Sequence, residues 1–309
     1  MSAEHAPRIV LAATLLLSST GWLLGLEAGW FALIPWVLSI VFFGLPHGAA
    51  DHIVWSSIRG ENGRFAPVVV RYILVMVIYA ALWWVYPPLA AFLFLGITVW
   101  HWGSADAARS FARAEAPPMS VSWVAASVSR GIVPILAPLA FYEDVVIAIV
   151  ADWSPSLSAA ELGAWVPETS IVLSVVLLSQ IIWMMIMMNV GASPRTEGIE
   201  TLLVTLLLVA VHPLIGVGVY FSFWHAWHHD RRLVSWYADA KNGMMNRSKR
   251  RDQVIIMVFT LAGMAAVLSL IPPGPSTLTI YLILISILTM PHMVVVWMMD
   301  RQDGNALRL

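Results

Sequence analysis

The sequence Phe223-Trp224-His225-Ala226-Trp227-His228-His229-Asp230 places three histidines at the end of a long apolar run. On a helix, residues four apart lie on one face with Cβ atoms about 5 to 6 Å apart, so His225 and His229 can offer two imidazoles to one metal ion. His228 points around the helix from this pair and is predicted to be a spectator or a supporting group. Ionisable groups at the edge of a bilayer are costly and tend to be functional, which favours a metal site over a chance pair.

The composition around this stretch is typical of a membrane protein. Of the 309 residues, 60% are hydrophobic and 11% are charged, and the mean hydropathy is +0.80. The apolar runs are unbroken rather than alternating, which predicts an all-α, polytopic transmembrane helical bundle. The first run is expected to be a membrane helix rather than a signal peptide, because it is long and no clear small-residue cleavage site follows it. Since the chain has no cysteine, a metal ion would have to be held by histidine or carboxylate groups.

Ten apolar segments are long enough, or nearly so, to span a bilayer. They are residues 8–26, 29–46, 67–86, 88–104, 119–141, 169–190, 199–212, 214–230, 253–271 and 277–299. Lys and Arg follow every second segment, as cytoplasmic loops require, so both termini are predicted to be cytoplasmic. A single kinked helix over 199–230 is an alternative, but it would put the Arg195 loop and the basic 231–251 loop on opposite faces. No repeat is visible, and residues 1–309 are expected to form a single integral-membrane domain.

Arg130 does not fit this charge pattern, because it falls near the middle of the segment 119–141. Either residues 119–130 lie along the membrane interface, or Arg130 pairs with an acid inside the bundle. The sequence leaves both arrangements open.

Seven of the nine histidines share one predicted depth, at or near the cytoplasmic ends of their segments. They are His47, His52, His101, His225, His228, His229 and His292. Independent structural histidines would have no reason to share a level, so this convergence predicts a metal site near the inner membrane surface. Taken alone, His292 beside Pro291 is more often hydrogen-bonded to a neighbouring helix than bound to a metal.

Two carboxylates lie close to these histidines in the sequence. Asp51 is four residues from His47 on the same helix face, so it could accept a hydrogen bond from a ligand imidazole and fix its tautomer. Asp106 follows His101 and could act in the same way. Each reads equally well as a solvated carboxylate at a helix end.

Four motifs, in order, resemble the signatures of the bacteriorhodopsin-related-protein (Brp and Blh) family of integral membrane β-carotene 15,15′-dioxygenases, which make retinal for microbial rhodopsins. They are Gly-Leu-Pro-His-Gly-Ala-Ala-Asp-His at 44–52, His-Trp-Gly-Ser-Ala-Asp at 101–106, Trp-His-Ala-Trp-His-His at 224–229 and Met-Pro-His-Met at 290–293. Trp102 stands where the family commonly has Phe, and His228 stands where it often has Arg. The second departure leaves His228 and His229 as competing ligands, of which the spacing favours His229.

The resemblance implies a mononuclear non-haem Fe(II) centre that carries out the reaction without a further catalytic residue. The implied ligands are His47, His101, His225 and His229, and the implied supporting or pocket residues are Asp51, His52, Asp106, His228 and His292. Four neutral imidazoles hold Fe(II) and leave coordination positions open. The implied reaction is cleavage of the central 15,15′ double bond of β-carotene by dioxygen to give two retinal.

The partners that the resemblance implies are β-carotene, dioxygen and the lipid bilayer, and no nucleic acid. The expected location is the cell (inner) membrane, with the metal site near its cytoplasmic side. Because carotene is insoluble in water, we expect an aromatic-lined lateral passage that admits it from the lipid.

Two other classes remain open. The spelling His-x-x-His-His at 225–229 also occurs in membrane di-iron desaturases and hydroxylases, but such sites need more histidines than the seven available here. The other class is a non-enzymatic carotenoid- or retinal-binding membrane protein. An opsin-like member of that class would need an intramembrane lysine, whereas Lys241 and Lys249 both lie in the basic loop.

Overall fold

The computed structural model describes residues 5–25, 29–59, 65–153, 158–164, 166–238, 247–270 and 275–306, and the regular elements within these ranges are all helical. A helix satisfies every backbone polar group within one segment, which is what an unbroken apolar run in lipid requires. The all-α prediction is therefore confirmed for the described part of the chain. Lys241 in the basic loop, and residues 26 and 271 at the ends of two predicted segments, lie outside the described residues.

The elements follow one another with short connections. They are α1 (His5–Leu23), a 3-10 segment (Gly29–Leu33), α2 (Ile34–Leu38), a first π-helical segment (Ser39–Gly44), α3 (Leu45–Gly48), α4 (Asp51–Arg59), α5 (Phe65–Val85), α6 (Pro87–Arg113), α7 (Val121–Phe141), α8 (Glu143–Trp153), α9 (Ala159–Gly163), α10 (Thr169–Asn189), α11 (Pro194–Ala210), α12 (Pro213–Val219), a second π-helical segment (Tyr220–Ala226), α13 (Trp227–Ala238), α14 (Arg247–Ser269) and α15 (Pro275–Ala306).

Over the described residues, seven helices are long and apolar enough to cross a membrane. These are His5–Leu23, Ala66–Val85, Pro87–Arg113, Val121–Phe141, Thr169–Asn189, Lys249–Ser269 and Leu278–Gln302. The chain is therefore a multi-pass membrane protein. The other three predicted segments coincide with α11 and with two helical stretches, residues 29–48 and 213–238, that each contain a π-helical segment. The number of ten spans stays a prediction.

Helices α6 and α7 cross with their backbones in contact at two glycines. A Cβ atom added to Gly103 would lie 1.7 Å from the Ser127 carbonyl oxygen, and one added to Gly131 would lie 1.7 Å from the Val99 carbonyl oxygen. Only glycine leaves room for this approach, which is the usual way that membrane helices pack closely. The crossing fixes the position of α6, and with it the position of His101.

Arg130 pairs with an acid inside the bundle, which confirms the second of the two arrangements left open by the sequence. Its Nε donates to Asp106 Oδ2 at 2.8 Å, and its guanidinium lies 5.1 Å from the ring centroid of Trp183. Arg130 and Asp106 are each only 1% exposed. Asp106 also accepts a hydrogen bond from Trp224 Nε1 at 3.0 Å, so this carboxylate joins α6, α7 and the second π-helical segment.

A second charged cluster joins α1, α6 and α11. Glu200 accepts hydrogen bonds from Arg8, Arg109 and Arg113, at 2.6, 2.8 and 3.0 Å respectively. Arg113 also donates to Glu197. Helix α6 continues to Arg113 instead of ending near residue 104, because these buried acids give the arginines of its last turns partners on the neighbouring helix.

The two π-helical segments pack against each other close to predicted site residues. Ser222 donates to the Pro35 carbonyl at 2.9 Å, and Trp36 Nε1 donates to the Leu214 carbonyl at 2.7 Å. A π-helical turn shifts the residues that follow it around the helix axis and often occurs at functional sites. His225 lies within the second segment and His47 lies three residues after the first.

Candidate metal centre

Four buried imidazoles from separate elements come together in the structure. They belong to His101 on α6, His225 in the second π-helical segment, His229 on α13 and His292 on α15, and their exposed fractions are 3%, 1%, 2% and 5%. The rings of His225 and His229 are nearly parallel, at 12°, as expected for residues one helical turn apart. The segments that carry these histidines are more than a hundred residues apart in sequence, so the cluster is a product of the tertiary fold.

The spacing of the rings suits a shared ion. Imidazoles bound through Nε2 at metal–nitrogen distances of about 2.1 Å have ring centroids about 4.6 Å apart at a right angle and about 6.5 Å apart on opposite sides. The centroid of His101 lies 4.7 Å from that of His225, 4.9 Å from that of His292 and 6.4 Å from that of His229. His229 lies 6.5 Å from His225 and 5.2 Å from His292.

The closest approach within the cluster is between two ring nitrogens. His101 Nε2 and His225 Nε2 are 3.1 Å apart, which is a hydrogen-bond distance. It is also the separation of two nitrogens on one ion, which is about 3.0 to 3.4 Å for ligand angles between a right angle and a tetrahedral one. Among the described residues, no three His, Asp or Glu side chains already converge on one ion position. Imidazole rotation about χ2 has a broad energy well, so the rings can turn toward an ion without backbone movement.

His292 is held by a carboxylate and a tyrosine. Its Nδ1 donates to Asp51 at 2.8 Å to Oδ2 and 3.0 Å to Oδ1, and the Tyr72 hydroxyl donates to the same carboxylate at 3.0 Å. Asp51 is 2% exposed. The partner of Asp51 is therefore His292 on α15. Asp51 follows α3 at the start of a new helix, so spacing along one helix did not determine which imidazole it contacts.

The remaining predicted residues lie in different places. The backbone of His47 belongs to α3, but its side chain lies outside the described residues. His52 Nδ1 donates to the Ala49 carbonyl at 2.8 Å, and burial lowers the pKa of this imidazole below its ordinary value. His228 Nδ1 donates to the Trp224 carbonyl at 2.7 Å. Of the two competing histidines, His229 is the one whose ring lies in the cluster.

The expected role of Asp106 needs correction. We predicted that it would support a ligand imidazole, but the structure gives it Arg130 and Trp224 Nε1 as hydrogen-bond partners. A buried arginine in an apolar helix requires a counter-charge, and Asp106 provides it. Its influence on the cluster is indirect, because Trp224 immediately precedes His225 in the chain.

An apolar cavity leads to the histidines from the side of the bundle. A compartment of about 640 Å³ lies between α5 and α14 above α15, and it is lined by residues such as Ile73, Phe259 and Leu288. A smaller compartment of about 110 Å³ shares Tyr72, Thr260 and Leu288 with it and reaches His101 and His292. Ile73 is 50% exposed and Phe259 is 75% exposed, so the rim of the larger compartment faces the surrounding lipid.

A polar cavity of about 850 Å³ reaches the cluster from another direction. It is lined by residues that include Arg109, Arg113, Glu200, His228 and His229. The histidine cluster thus lies between an apolar compartment and a charged one.

Comparison with known proteins gives a consistent result. The family model described as beta-carotene 15,15′-dioxygenase matches residues 38–300. The chain belongs to this family. It is 31% identical to a protein named probable beta-carotene 15,15′-dioxygenase Blh from Halobacterium salinarum, over 87% of this chain and 85% of that protein. It is 25% identical to one named probable beta-carotene 15,15′-dioxygenase Brp from the same species, over 98% and 94%. No solved structure matches the chain.

A more distant similarity covers a shorter region. The protein named beta-carotene 15,15′-dioxygenase from uncultured marine bacterium 66A03 is 30% identical over 35% of this chain and 38% of its own length. The family match itself includes the whole range from His47 to His292, and so every candidate site residue. The resemblance inferred from the four motifs is confirmed.

Sequence reasoning missed two features of this dioxygenase-family site. It treated His292 as a pocket residue, whereas its ring lies as close to His101 as that of His225 does. It also missed Tyr72, which contacts Asp51 from α5. The only available signal for Tyr72 was a hydroxyl in an otherwise apolar run, and that pattern is common in membrane helices.

Proposed function

We propose that this protein cleaves the central 15,15′ double bond of β-carotene with dioxygen and releases two molecules of retinal. The convergence of buried imidazoles at the end of a lipid-facing apolar cavity is the observation that carries this proposal. The names of the relatives support the same reaction. One carbon–carbon double bond and one oxygen–oxygen bond break, and two carbonyl bonds form, so the reaction needs no external reductant.

The proposed cofactor is one Fe(II) ion held by His47, His101, His225 and His229. The donor set fits this ion, because neutral imidazole is a suitable ligand for iron and the chain has no thiolate to compete. When bound, the iron would supply the electron chemistry that allows dioxygen to react with a polyene. The 3.1 Å approach of two Nε2 atoms is the geometric support for a shared ion.

The role of the surrounding side chains is to bind the polyene and exclude water. The larger compartment has a volume in the range of small-molecule sites, and its lining is almost entirely apolar. Phe94, Trp102 and Phe221 line the smaller compartment next to His101. These rings can hold the conjugated chain beside the histidines, which limits the positions at which the substrate can react.

The proposed topology is ten spans with both termini and the metal site on the cytoplasmic side of the cell membrane. The contacts of Arg8, Arg109 and Arg113 with one acid on α11 support it, since these arginines lie at one end of the bundle. The polar cavity lined by two of them also reaches His229, so the histidines lie at the basic end.

The test is anaerobic purification of the full chain, metal analysis, and addition of oxygen and β-carotene with detection of retinal. We expect about one iron per chain and one atom of labelled oxygen in each retinal when ¹⁸O₂ is supplied under conditions that limit exchange with water. Two tightly bound irons per chain would favour a di-iron desaturase or hydroxylase. Undiminished retinal formation by His225→Ala in carotene-producing cells would contradict the proposed centre and favour a carotenoid carrier.

A further inference from the structure

We propose that His292 is a further ligand of the same metal ion, and that Asp51 and Tyr72 position it. This inference rests on the metal centre of the proposed function and extends its ligand set to a fifth histidine from α15.

The first observation is the place of the His292 ring within the cluster. Its centroid lies 4.9 Å from that of His101 and 5.2 Å from that of His229, both within the range expected for imidazoles that share an ion. The two interplanar angles are 87° and 83°, so the ring stands edge-on to its neighbours instead of stacking on them. A ring that only filled space beside the site would not need to enter it this closely.

The second observation is the division of labour between the two ring nitrogens. Nδ1 of His292 faces the Asp51 carboxylate, which leaves Nε2 on the other edge of the ring as the nitrogen for a metal. A ligand histidine usually donates its second ring nitrogen to a carboxylate or carbonyl, because this contact sets the tautomer and makes the ligand nitrogen more basic. Within the described cluster, His292 is the ring for which such a carboxylate contact is recorded.

The third observation is that the carboxylate is itself held in place. The Tyr72 hydroxyl on α5 donates to Asp51 Oδ2, so α4, α5 and α15 are joined through one buried hydrogen-bonded chain. A preorganised partner of this kind fixes the orientation of a ligand ring before the ion arrives. The Asp51 carboxylate also supplies a negative charge close to a cation surrounded by neutral imidazoles.

A purely structural role for this chain makes a different prediction. If Asp51 and His292 only joined α4 to α15, their replacement would lower the melting temperature and leave the metal centre unchanged. If His292 is a ligand, its replacement changes the affinity and the spectrum of the bound ion, and replacement of Asp51 alters the same properties in the same direction.

The experiment uses the full chain, purified in detergent without metal and titrated anaerobically with Fe(II) and separately with Co(II). The visible absorption of Co(II) reports the number and type of its ligands. We expect His292→Ala to weaken Fe(II) binding at least tenfold and to change the Co(II) spectrum. We expect Asp51→Asn to weaken binding by about 10- to 100-fold, and Tyr72→Phe to have a smaller effect in the same direction.

The matched control is His212→Ala, which removes an imidazole whose ring contacts Tyr142, far from the cluster. It should retain the wild-type affinity and spectrum. Added imidazole should restore the Co(II) spectrum of His292→Ala if the cavity left behind admits it. Should that variant fail to fold, Asp51→Asn, which hardly alters the side-chain volume, carries the test through the same spectrum.

The outcomes separate the two proposals. If wild type binds Co(II) and His292→Ala binds it with the same affinity and spectrum, the role of His292 is wrong and the proposed function stands. If Asp51→Asn lowers only the melting temperature, the chain from Tyr72 to His292 is structural. If wild-type protein that forms retinal binds no metal, the metal centre itself is wrong, together with this inference.

Discussion

The bundle has a tightly packed side and a loosely packed side, and the histidine cluster lies between them. More than half of the α7 span, 56%, is buried within the protein, compared with 6% of the α14 span. Helix α7 is held by backbone contact and a buried ion pair, whereas α14 contacts α15 and α3 and borders an apolar cavity. The comparison suggests that one side keeps the ligands in position while the other admits a substrate from the lipid.

The largest expected effect is the loss of the folded state when the tight crossing is blocked. In Gly103→Leu, the added side chain would overlap the backbone of α7, and we expect little folded protein. The smaller change Gly103→Ala should destabilise the protein by roughly 3 kcal/mol or more. The measurement is the yield of monodisperse protein and its unfolding in a denaturing-detergent titration.

Glycines without close neighbours provide the controls for this prediction. Gly96 on the same helix and Gly263 on α14 have no atom within 4 Å of an added Cβ. Gly96→Ala and Gly263→Ala should leave the free energy of unfolding unchanged or raise it by up to about 1 kcal/mol, because alanine favours helix. Equal losses at Gly103 and Gly263 would contradict the distinction between the two sides.

The next effect concerns the buried ion pair on the tight side. Arg130→Met removes the partner of Asp106 and leaves a buried carboxylate, which should lower the free energy of unfolding by about 3 to 5 kcal/mol. The exposed pair of Arg251 and Asp252 serves as the control, since the Arg251 side chain is 71% exposed. Arg251→Met should change the same quantity by less than about 1 kcal/mol. A stable Arg130→Met protein would show that α7 does not depend on this pair.

The loosely packed side should respond in activity rather than in stability. Thr260 lines both apolar compartments, and Thr260→Phe should fill the passage and reduce retinal formation roughly tenfold, equivalent to about 1.4 kcal/mol. Iron content and melting temperature should stay close to those of the wild type. The control is Val258→Phe, at a position on α14 that is 54% exposed to the surroundings. If both variants form retinal as fast as the wild type, the substrate does not use this passage.

The smallest expected effect distinguishes the two adjacent histidines. His228 contacts the Trp224 carbonyl on the polar side of the cluster, so His228→Gln should cost about 1 kcal/mol of stability and leave the iron content unchanged. His229→Gln should lower the iron content, because the His229 ring lies within the cluster. Iron analysis of the two purified variants makes the measurement. Loss of iron from His228→Gln alone would reverse the assignment.

Much of the site could be predicted because histidines at a common depth have few reasons to be there. The i, i+4 pair of His225 and His229, and the preference for His229 over His228, follow from helix geometry and agree with the ring positions. The partners of Asp51 and Asp106 could not be predicted in the same way. Each carboxylate pairs with a residue on another helix, His292 and Arg130, and the rotation of those helices about their axes is not encoded in local spacing.

Hydropathy and charge, read along the chain, were sufficient to determine that this protein is a helical membrane protein with histidines gathered at one level. These properties are local, because each residue contributes its own transfer free energy to lipid and each segment satisfies its own backbone hydrogen bonds. The tertiary structure alone decided which imidazoles meet. Gly103 and Gly131 set how closely two helices approach, and Asp51 connects Tyr72 to His292 across three helices. Such contacts depend on packing between distant segments, where a shift of a few ångströms changes every partner.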